Sequence, residues 1–116
     1  MDPRIQRAIR LMTADLRPEI SINELAKSLN LSESRLRHLF KAETGVSPMQ
    51  YLKAQRIQRA RKLLENTFLS VKEVMMEVGA KDKSHFIRDF KKAFGLSPSQ
   101  LRARYLNPEP KRISTE

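Results

Sequence analysis

Two short segments of the sequence carry basic and hydroxyl side chains at the three- and four-residue spacing of one helix face. In the first segment these side chains are Ser34, Arg37, His38 and Lys41. In the second segment they are Lys83, Ser84, Arg88 and Lys91, with Ile87 among them. All but the isoleucine donate hydrogen bonds, and most are cationic. Their chemistry suits recognition of an anionic surface that offers hydrogen-bond acceptors.

The sequence offers little for catalysis or for metal binding. His38 and His85 are its only histidines, they lie in different segments, and there is no cysteine. Glu73 and Glu77 lie one helical turn apart, but no nucleophile, histidine or glycine-rich phosphate loop accompanies them. That pair therefore indicates a solvated helix face. We expect no enzyme activity, no metal and no cofactor.

Composition limits the class of protein. A chain of 116 residues accommodates one compact domain or two very small ones, which excludes a large multidomain enzyme. Hydrophobic residues make up 40%, charged residues 31%, and there are three glycines, a balance that favours an all-α fold. The 23 Lys and Arg exceed the 13 Asp and Glu, and the net charge of +10 is typical of polyanion binders. The same charge also fits an anionic membrane surface.

The sequence has no apolar run near the roughly 20 residues of a membrane span, and its beginning lacks the apolar core of a signal peptide. The absence of cysteine is compatible with a reducing cytosol. We therefore expect a soluble cytoplasmic protein. The sequence fits both a short complete protein and the C-terminal part of a longer one.

An internal repeat with a register of about 50 residues organises the chain. Each copy opens with a Ser-x-x-Glu capping box, continues with a one-sided apolar stripe, and stops at a residue that tolerates positive φ. A fresh cap then starts a second helix, and a glycine ends that helix before a Ser-Pro-x-Gln box. The matched features are Ser21 to Glu24 with Ser70 to Glu73, Asn30 with Gly79, Ser32 with Asp82, Gly45 with Gly95, and Ser47 to Gln50 with Ser97 to Gln100.

The flanking segments complete the predicted architecture. Asp2 caps and Pro3 opens a first helix, which ends near Arg17 because Pro18 disfavours helix in the residue before it. A long spacer helix and a short last helix, residues 98–106, follow from the apolar spacing. We predict a helix-turn-helix lobe at 1–47, a linker helix at 48–65, a second lobe at 66–106 and a disordered tail at 107–116.

Two helices joined by a tight turn form a helix-turn-helix, whose second helix lies in the major groove of DNA with its N-terminal part toward the base edges. In the second helices of the repeat, the predicted inward residues are Leu36, Leu39 and Phe40 in one copy and Phe86, Phe90 and Ala93 in the other. The helical step of about 100° per residue then turns the basic side chains outward. Solvated faces are the alternative for any single side chain, but the matched pair of faces predicts double-stranded DNA as the partner.

The side-chain types suggest separate roles on DNA. Arginine donates two parallel hydrogen bonds to guanine and isoleucine packs on a thymine methyl, so Arg37 and Arg88 are the strongest base-reading candidates. Lysine positions a protein without specifying sequence. The predicted phosphate contacts are Ser32, Arg35, Lys41, Lys91 and Lys92. The spacer helix is about 27 Å long at ~1.5 Å per residue. This length could hold the two second helices about one DNA turn apart, which is about 34 Å. A monomer would then read two adjacent major-groove segments.

The sequence resembles the AraC/XylS family of bacterial regulators from about Ile5 to Tyr105. The resemblance is carried by INELAKSLNLSESRLRHLFKAETGVSPMQYL, RIQRARKLL and VKEVMMEVGAKDKSHFIRDFKKAFGLSPSQLR. It implies a seven-helix, two-lobed domain and transcriptional control, most often activation through contact with RNA polymerase, by a protein associated with the nucleoid. It also implies base-facing positions at Ser34, Arg37, His38, Lys83, Ser84, Ile87 and Arg88.

Two positions depart from the pattern of that family. Where family members usually carry alanine and an aromatic residue, this sequence has Met75 and Ala80. We interpret the exchange as a compensating swap that conserves volume in the second lobe.

The alternative class is a helical adaptor that binds a protein or an anionic membrane surface through the basic side of the spacer. An adaptor would explain the charge but not the duplication.

Overall fold

The computed structural model describes residues 1–105, which form α-helices and no strand. The seven helices of this part of the chain are α1 (Pro3–Thr13), α2 (Ile22–Ser28), α3 (Glu33–Thr44), α4 (Pro48–Asn66), α5 (Val71–Glu77), α6 (Lys83–Phe94) and α7 (Pro98–Tyr105). The predicted all-α class and the seven helices are confirmed. The tail predicted to be disordered, 107–116, lies outside the described residues.

The described part of the chain divides into two compact units, with the boundary between residues 55 and 56. The division falls inside α4, so the predicted linker helix contributes to both units. Its N-terminal half supplies Leu52 to the core of the first unit, and its C-terminal half supplies Ile57, Ala60 and Leu64 to the core of the second. Each unit therefore has a hydrophobic core of its own.

The core of the first unit is built from one apolar stripe on each of its helices. Helices α1 and α2 both pack on α3, and half-buried side chains close the edges of the cluster. The buried members are Ile5, Ala8, Met12, Ile22, Leu25, Ala26, Leu29, Leu36, Phe40 and Leu52. A chain of this size depends on such burial, at about 25 cal/mol per Å² of apolar surface.

The core of the second unit repeats this arrangement with different side chains. Its buried members are Ile57, Ala60, Leu64, Val74, Met75, Val78, Phe86, Phe90 and Leu101. Met75 is 8% exposed, and the half-buried Ala80 packs against the same cluster. The backbone N–H of Ala80 donates to the carbonyl oxygen of Met75 at 2.9 Å. The two positions that depart from the family pattern are thus neighbours on one core.

Side-chain caps start the helices where the sequence predicts. The Ser70 hydroxyl accepts from the Glu73 backbone at 3.0 Å while the Glu73 carboxylate accepts from the Ser70 backbone at 2.8 Å. The two Ser-Pro-x-Gln boxes, which open α4 and α7, are closed in the same reciprocal way. The predicted box at Ser21 is only half formed in the described part of the chain. There the serine hydroxyl accepts from the Glu24 backbone at 3.2 Å, but the Glu24 carboxylate accepts no bond from the Ser21 backbone.

Residues with positive φ separate the helices, as predicted. Asn30 has a φ of 59° and Gly79 a φ of 75° in the turns of the two helix-turn-helix motifs. Asparagine tolerates this region because its short polar side chain can bond locally, whereas glycine has no Cβ to clash. Gly45 and Gly95, with φ of 86° and 82°, end α3 and α6.

One predicted helix end and one predicted inward residue are wrong. Helix α1 ends at Thr13, not near Arg17, because the Asp15 carboxylate accepts from the Arg17 backbone at 3.0 Å and so favours a turn. Ala93 is exposed, and Phe94 takes its predicted inward place. An aromatic ring buries far more apolar surface than a methyl group, so it determines which way the helix rotates.

The Met75 and Ala80 positions provide a test of compensation. We expect Met75→Ala to lower the free energy of unfolding by about 2–5 kcal/mol through a cavity, and Ala80→Phe to lower it by about 1–3 kcal/mol through overpacking. The double variant should lose less than the sum, because the new ring fills the space that the methionine leaves. Urea unfolding of all four proteins measures the coupling. Neutral single changes, or strictly additive losses, would show that the two positions do not compensate.

Candidate nucleic-acid interface

Packing of α3 determines which of its side chains face solvent. Leu36 and Phe40 are fully buried, Leu39 is half-buried, and the Phe40 ring meets the Tyr51 ring of α4 edge-on at 5.4 Å. The opposite side of α3 is exposed, as predicted. We call its four predicted groups the first basic face, namely Ser34, Arg37, His38 and Lys41.

Packing of α6 determines its outward side in the same way. Phe90 is fully buried, with its ring centroid 5.9 Å from that of Phe86 and 4.8 Å from that of Phe94. The Arg61 guanidinium of α4 lies over the Phe94 ring at 4.7 Å. The exposed groups of α6 form the second basic face, namely Lys83, Ser84, Arg88 and Lys91.

Ile87 corrects the predicted outward face of α6. It is half-buried and packs against the core of the second unit instead of lying fully in solvent. Leaving an isoleucine side chain in water costs free energy, and Ile87 follows the buried Phe86, so its side chain packs partly on the core. The half-exposed side of Ile87 still adjoins the second basic face, so its predicted contact with a thymine methyl remains a prediction with a smaller contact area.

The two second helices are equivalent position by position, since both have 12 residues and start 50 residues apart. Arg37 therefore corresponds to Ile87, and His38 corresponds to Arg88. The arginines predicted to read bases occupy successive, not identical, positions of the repeat. Their neighbours differ as well, since Arg37 lies 3.9 Å from Glu33 and Arg88 lies 3.7 Å from Asp89.

The predicted phosphate contacts are exposed in both helices. The Ser32 hydroxyl oxygen caps α3 by accepting from the Arg35 backbone at 3.1 Å, which leaves its O–H free to donate to an anion. Lys91 and Lys92 lie in the last turn of α6, where their positive charges also interact favourably with the helix dipole. The five predicted phosphate contacts are Ser32, Arg35, Lys41, Lys91 and Lys92.

Asp82 caps the start of α6 beside the second basic face. Its carboxylate accepts from the His85 backbone at 2.9 Å, and its second oxygen lies 3.4 Å from the His85 Nδ1. The hydrogen bond from the His85 backbone is the main cause that lowers the pKa of Asp82 below its ordinary value of 3.8. The carboxylate therefore stabilises the helix start in its charged form.

Sequence reasoning missed two supports of the second unit. Arg61 pairs with Glu65 at 2.9 Å, and the pKa of this arginine is raised chiefly by that bond. The Nε–H of Arg102 in α7 donates a hydrogen bond to the carbonyl oxygen of Leu64 at 3.0 Å. This bond links α7 to α4 between residues 38 positions apart in the sequence. Only the i,i+4 spacing of Arg61 and Glu65 is visible as a local pattern. No periodicity marks the Arg102 contact.

Within residues 1–105, no group of three or more His, Cys, Asp and Glu side chains could hold a metal ion. The helices of this part of the chain are also too short or too polar for any of them to cross a membrane.

A family model described as a helix-turn-helix domain matches residues 25–104. The chain is 40% identical over 88 residues to the Msm operon regulatory protein of Streptococcus mutans, which covers 76% of the chain and 32% of that protein. It is 38% identical over 104 residues to the arabinose operon regulatory protein of Escherichia coli, which covers 89% and 36%. It is 35% identical over 98 residues to the lactose operon transcription activator of Staphylococcus xylosus, which covers 84% and 35%. The chain thus spans about a third of the length of these relatives.

Solved structures resemble the fold over nearly the whole chain. An AraC-type DNA-binding domain regulator from Chromobacterium violaceum superimposes with a TM-score of 0.81 at 29% identity, covering 92% of this chain and 96% of that one. The DNA-binding domain of AdpA, solved in complex with a target DNA, superimposes with a TM-score of 0.82 at 27% identity, covering 93% and 97%.

Asp82 provides a test of the cap in acid. A lowered folded-state pKa means that its charge contributes stability above the ordinary value of 3.8, and that this contribution is lost as pH falls through the lowered value. Asparagine keeps the capping oxygen but carries no charge. We expect the stability difference between the wild type and Asp82→Asn to stay constant while pH is well above 3.8, and to shrink as pH falls below 3.8. Urea midpoints measure it, and a difference that is constant with pH would contradict the role of the charge.

Proposed function

Because the chain belongs to the AraC-type family of helix-turn-helix DNA-binding domains, we propose that it binds double-stranded DNA in a sequence-specific way and regulates transcription in a bacterium. In this proposal α3 and α6 enter two adjacent major-groove segments of one site. The observation that supports this proposal most is the repeat. In each unit, buried aromatic side chains pack the second helix on the core, and the basic face of that helix is exposed. The related AdpA domain, solved on its target DNA, supports the same chemistry.

The proposal assigns roles by side-chain type. Arg37 and Arg88 read guanine edges through paired hydrogen bonds, while Ser34, His38, Lys83, Ser84 and Ile87 contact neighbouring bases. The phosphate contacts proposed for Ser32, Arg35, Lys41, Lys91 and Lys92 set register and orientation. Both arginines are more than half exposed, at 56% and 65% of their side-chain surface. Both guanidinium groups are therefore accessible to a base.

We propose that the domain acts by binding, without catalysis, in the cytoplasm and on the nucleoid. The DNA-binding unit is a monomer, because the repeat supplies two reading helices within one chain. One relative is named as an activator, and we extend that direction of control, through contact with RNA polymerase, to this protein.

The base-reading roles are tested by comparing arginine and lysine variants. Selection from a random duplex pool first provides the cognate site, which we expect to have two halves about 10 bp apart. Arg37→Ala and Arg88→Ala should each cost about 1–3 kcal/mol on that site and relax preference at one base pair. Lys41→Ala should weaken cognate and scrambled duplexes alike. Fluorescence anisotropy measures both, and equal losses on the two duplexes for the arginines would refute base reading.

Salt dependence distinguishes DNA binding from a membrane or protein adaptor. Each phosphate that the protein neutralises releases counterions, so the logarithm of affinity should fall with the logarithm of salt concentration by about 0.9 per contact. Four of the five proposed phosphate contacts are cationic, so we expect a steep fall between about 50 and 200 mM salt. Weak, salt-insensitive DNA binding together with tight binding to anionic phosphatidylserine vesicles would instead support the adaptor.

A further inference from the structure

The first residues of the two reading helices carry opposite charges. Glu33 begins α3, whereas Lys83 occupies the equivalent place at the start of α6. The N-terminal part of a reading helix is the part that approaches the bases and the phosphates beside them. An acid at this place on an otherwise basic face opposes the attraction to DNA, so its presence in one helix needs an explanation.

Helix stability explains only part of the position of Glu33. An acidic side chain in the first turn interacts favourably with the helix dipole. Helices α2 and α5 also have an acidic residue there, Glu24 and Glu73. The Glu73 carboxylate is directed at the backbone of its own cap, where it accepts a hydrogen bond at 2.8 Å. The Glu33 carboxylate instead lies 3.9 Å from the Nη1 atom of Arg37, one turn further along the same exposed side.

The Glu33 and Arg37 pair is weak in water and stronger on DNA. The side chains are 41% and 56% exposed, and an exposed ion pair of this kind contributes little to folding. When a groove excludes water, the effective dielectric falls, and both attraction within the pair and repulsion from phosphates increase. On DNA, such a pair would therefore influence the choice of site more than it influences folding.

We propose that Glu33 is a positioning residue that determines specificity in the first unit. Its carboxylate restrains the Arg37 guanidinium and repels phosphate oxygens, so α3 binds strongly only where Arg37 reaches a base acceptor that compensates for the repulsion. A repulsive group that penalises wrong sites raises specificity even when it adds no affinity for the right one. This inference rests on the proposed function, since it needs α3 to read a groove. The second unit has Lys83 in place of the acid, so the start of its reading helix carries no such repulsion.

The test is Glu33→Gln, which keeps the size and the hydrogen-bonding oxygen but removes the charge. We expect affinity for a scrambled duplex to rise about fivefold, while affinity for the selected cognate duplex changes less than about twofold. The ratio of the two affinities then falls, and the salt slope on scrambled DNA becomes steeper. In an Arg37→Ala background, Glu33→Gln should raise affinity for both duplexes equally, because no guanidinium remains to be positioned.

Glu24→Gln is the matched control. It makes the same change of net charge, in the same unit and also in the first turn of a helix, but on α2. We expect it to leave the affinity ratio unchanged. Urea unfolding of both variants and the wild type accounts for any loss of helix stability.

Each outcome separates this inference from the proposed function. If the wild type binds matched and scrambled duplexes equally, the proposed function itself is wrong. If the wild type discriminates and Arg37→Ala relaxes preference, but Glu33→Gln leaves the ratio unchanged, only the role of Glu33 is overturned. A new preferred base in Glu33→Gln would overturn the positioning role, because it would mean that the carboxylate itself contacts a base such as cytosine. If Glu24→Gln lowered the ratio of cognate to scrambled affinity equally, the effect would come from net charge, and the role of Glu33 would be overturned.

Discussion

Burial of one aromatic side chain in each unit is the constraint on which the rest of the structure depends. Phe40 and Phe90 are fully buried, and each contacts a second ring, Tyr51 in the first unit and Phe94 in the second. Such rings supply large buried area with a preferred geometry. Because they fix the rotation of α3 and α6 about their own axes, they also decide which polar side chains face outward. The basic faces are a consequence of core packing, and a helix rotated by one residue would present a different set of side chains.

Local sequence patterns predicted most of this architecture because the signals are local physical chemistry. Capping serines, Asp2, Asp82 and the residues with positive φ act within four residues of their own position, so a single sequence reveals them. Predictions were wrong where two local options competed. The Asx turn at Asp15 ended α1 early, and the larger ring of Phe94 took the inward place predicted for Ala93. The Asp2 backbone bond to Glu43 at 2.7 Å and the Arg102 bond to Leu64 join distant residues, and no local spacing reports such contacts.

The candidate interface was predictable in location but not in detail. The helical periodicity of α3 and α6 correctly predicted that their basic side chains face solvent, because burial of apolar residues is the strongest effect that orients a helix. It placed Ile87 too far outward, since a residue at the border of an apolar stripe can lean toward the core. The two base-reading candidates, Arg37 and Arg88, occupy successive positions of the repeat, since Arg37 corresponds to Ile87. The two faces are therefore related in shape and charge but offer different hydrogen-bonding groups at equivalent positions.

Separate cores allow these two faces to diverge. Each second helix is anchored in its own unit, so a change on one basic face needs no adjustment in the hydrophobic cluster that holds the other. For a protein that binds DNA through both helices, attachment of one raises the effective concentration of the other, because both belong to one chain. Contacts of modest strength on each face can then combine into useful affinity. Under that condition a repulsive group such as Glu33 is tolerable in one unit, since the more cationic α6 adds attraction to the phosphates.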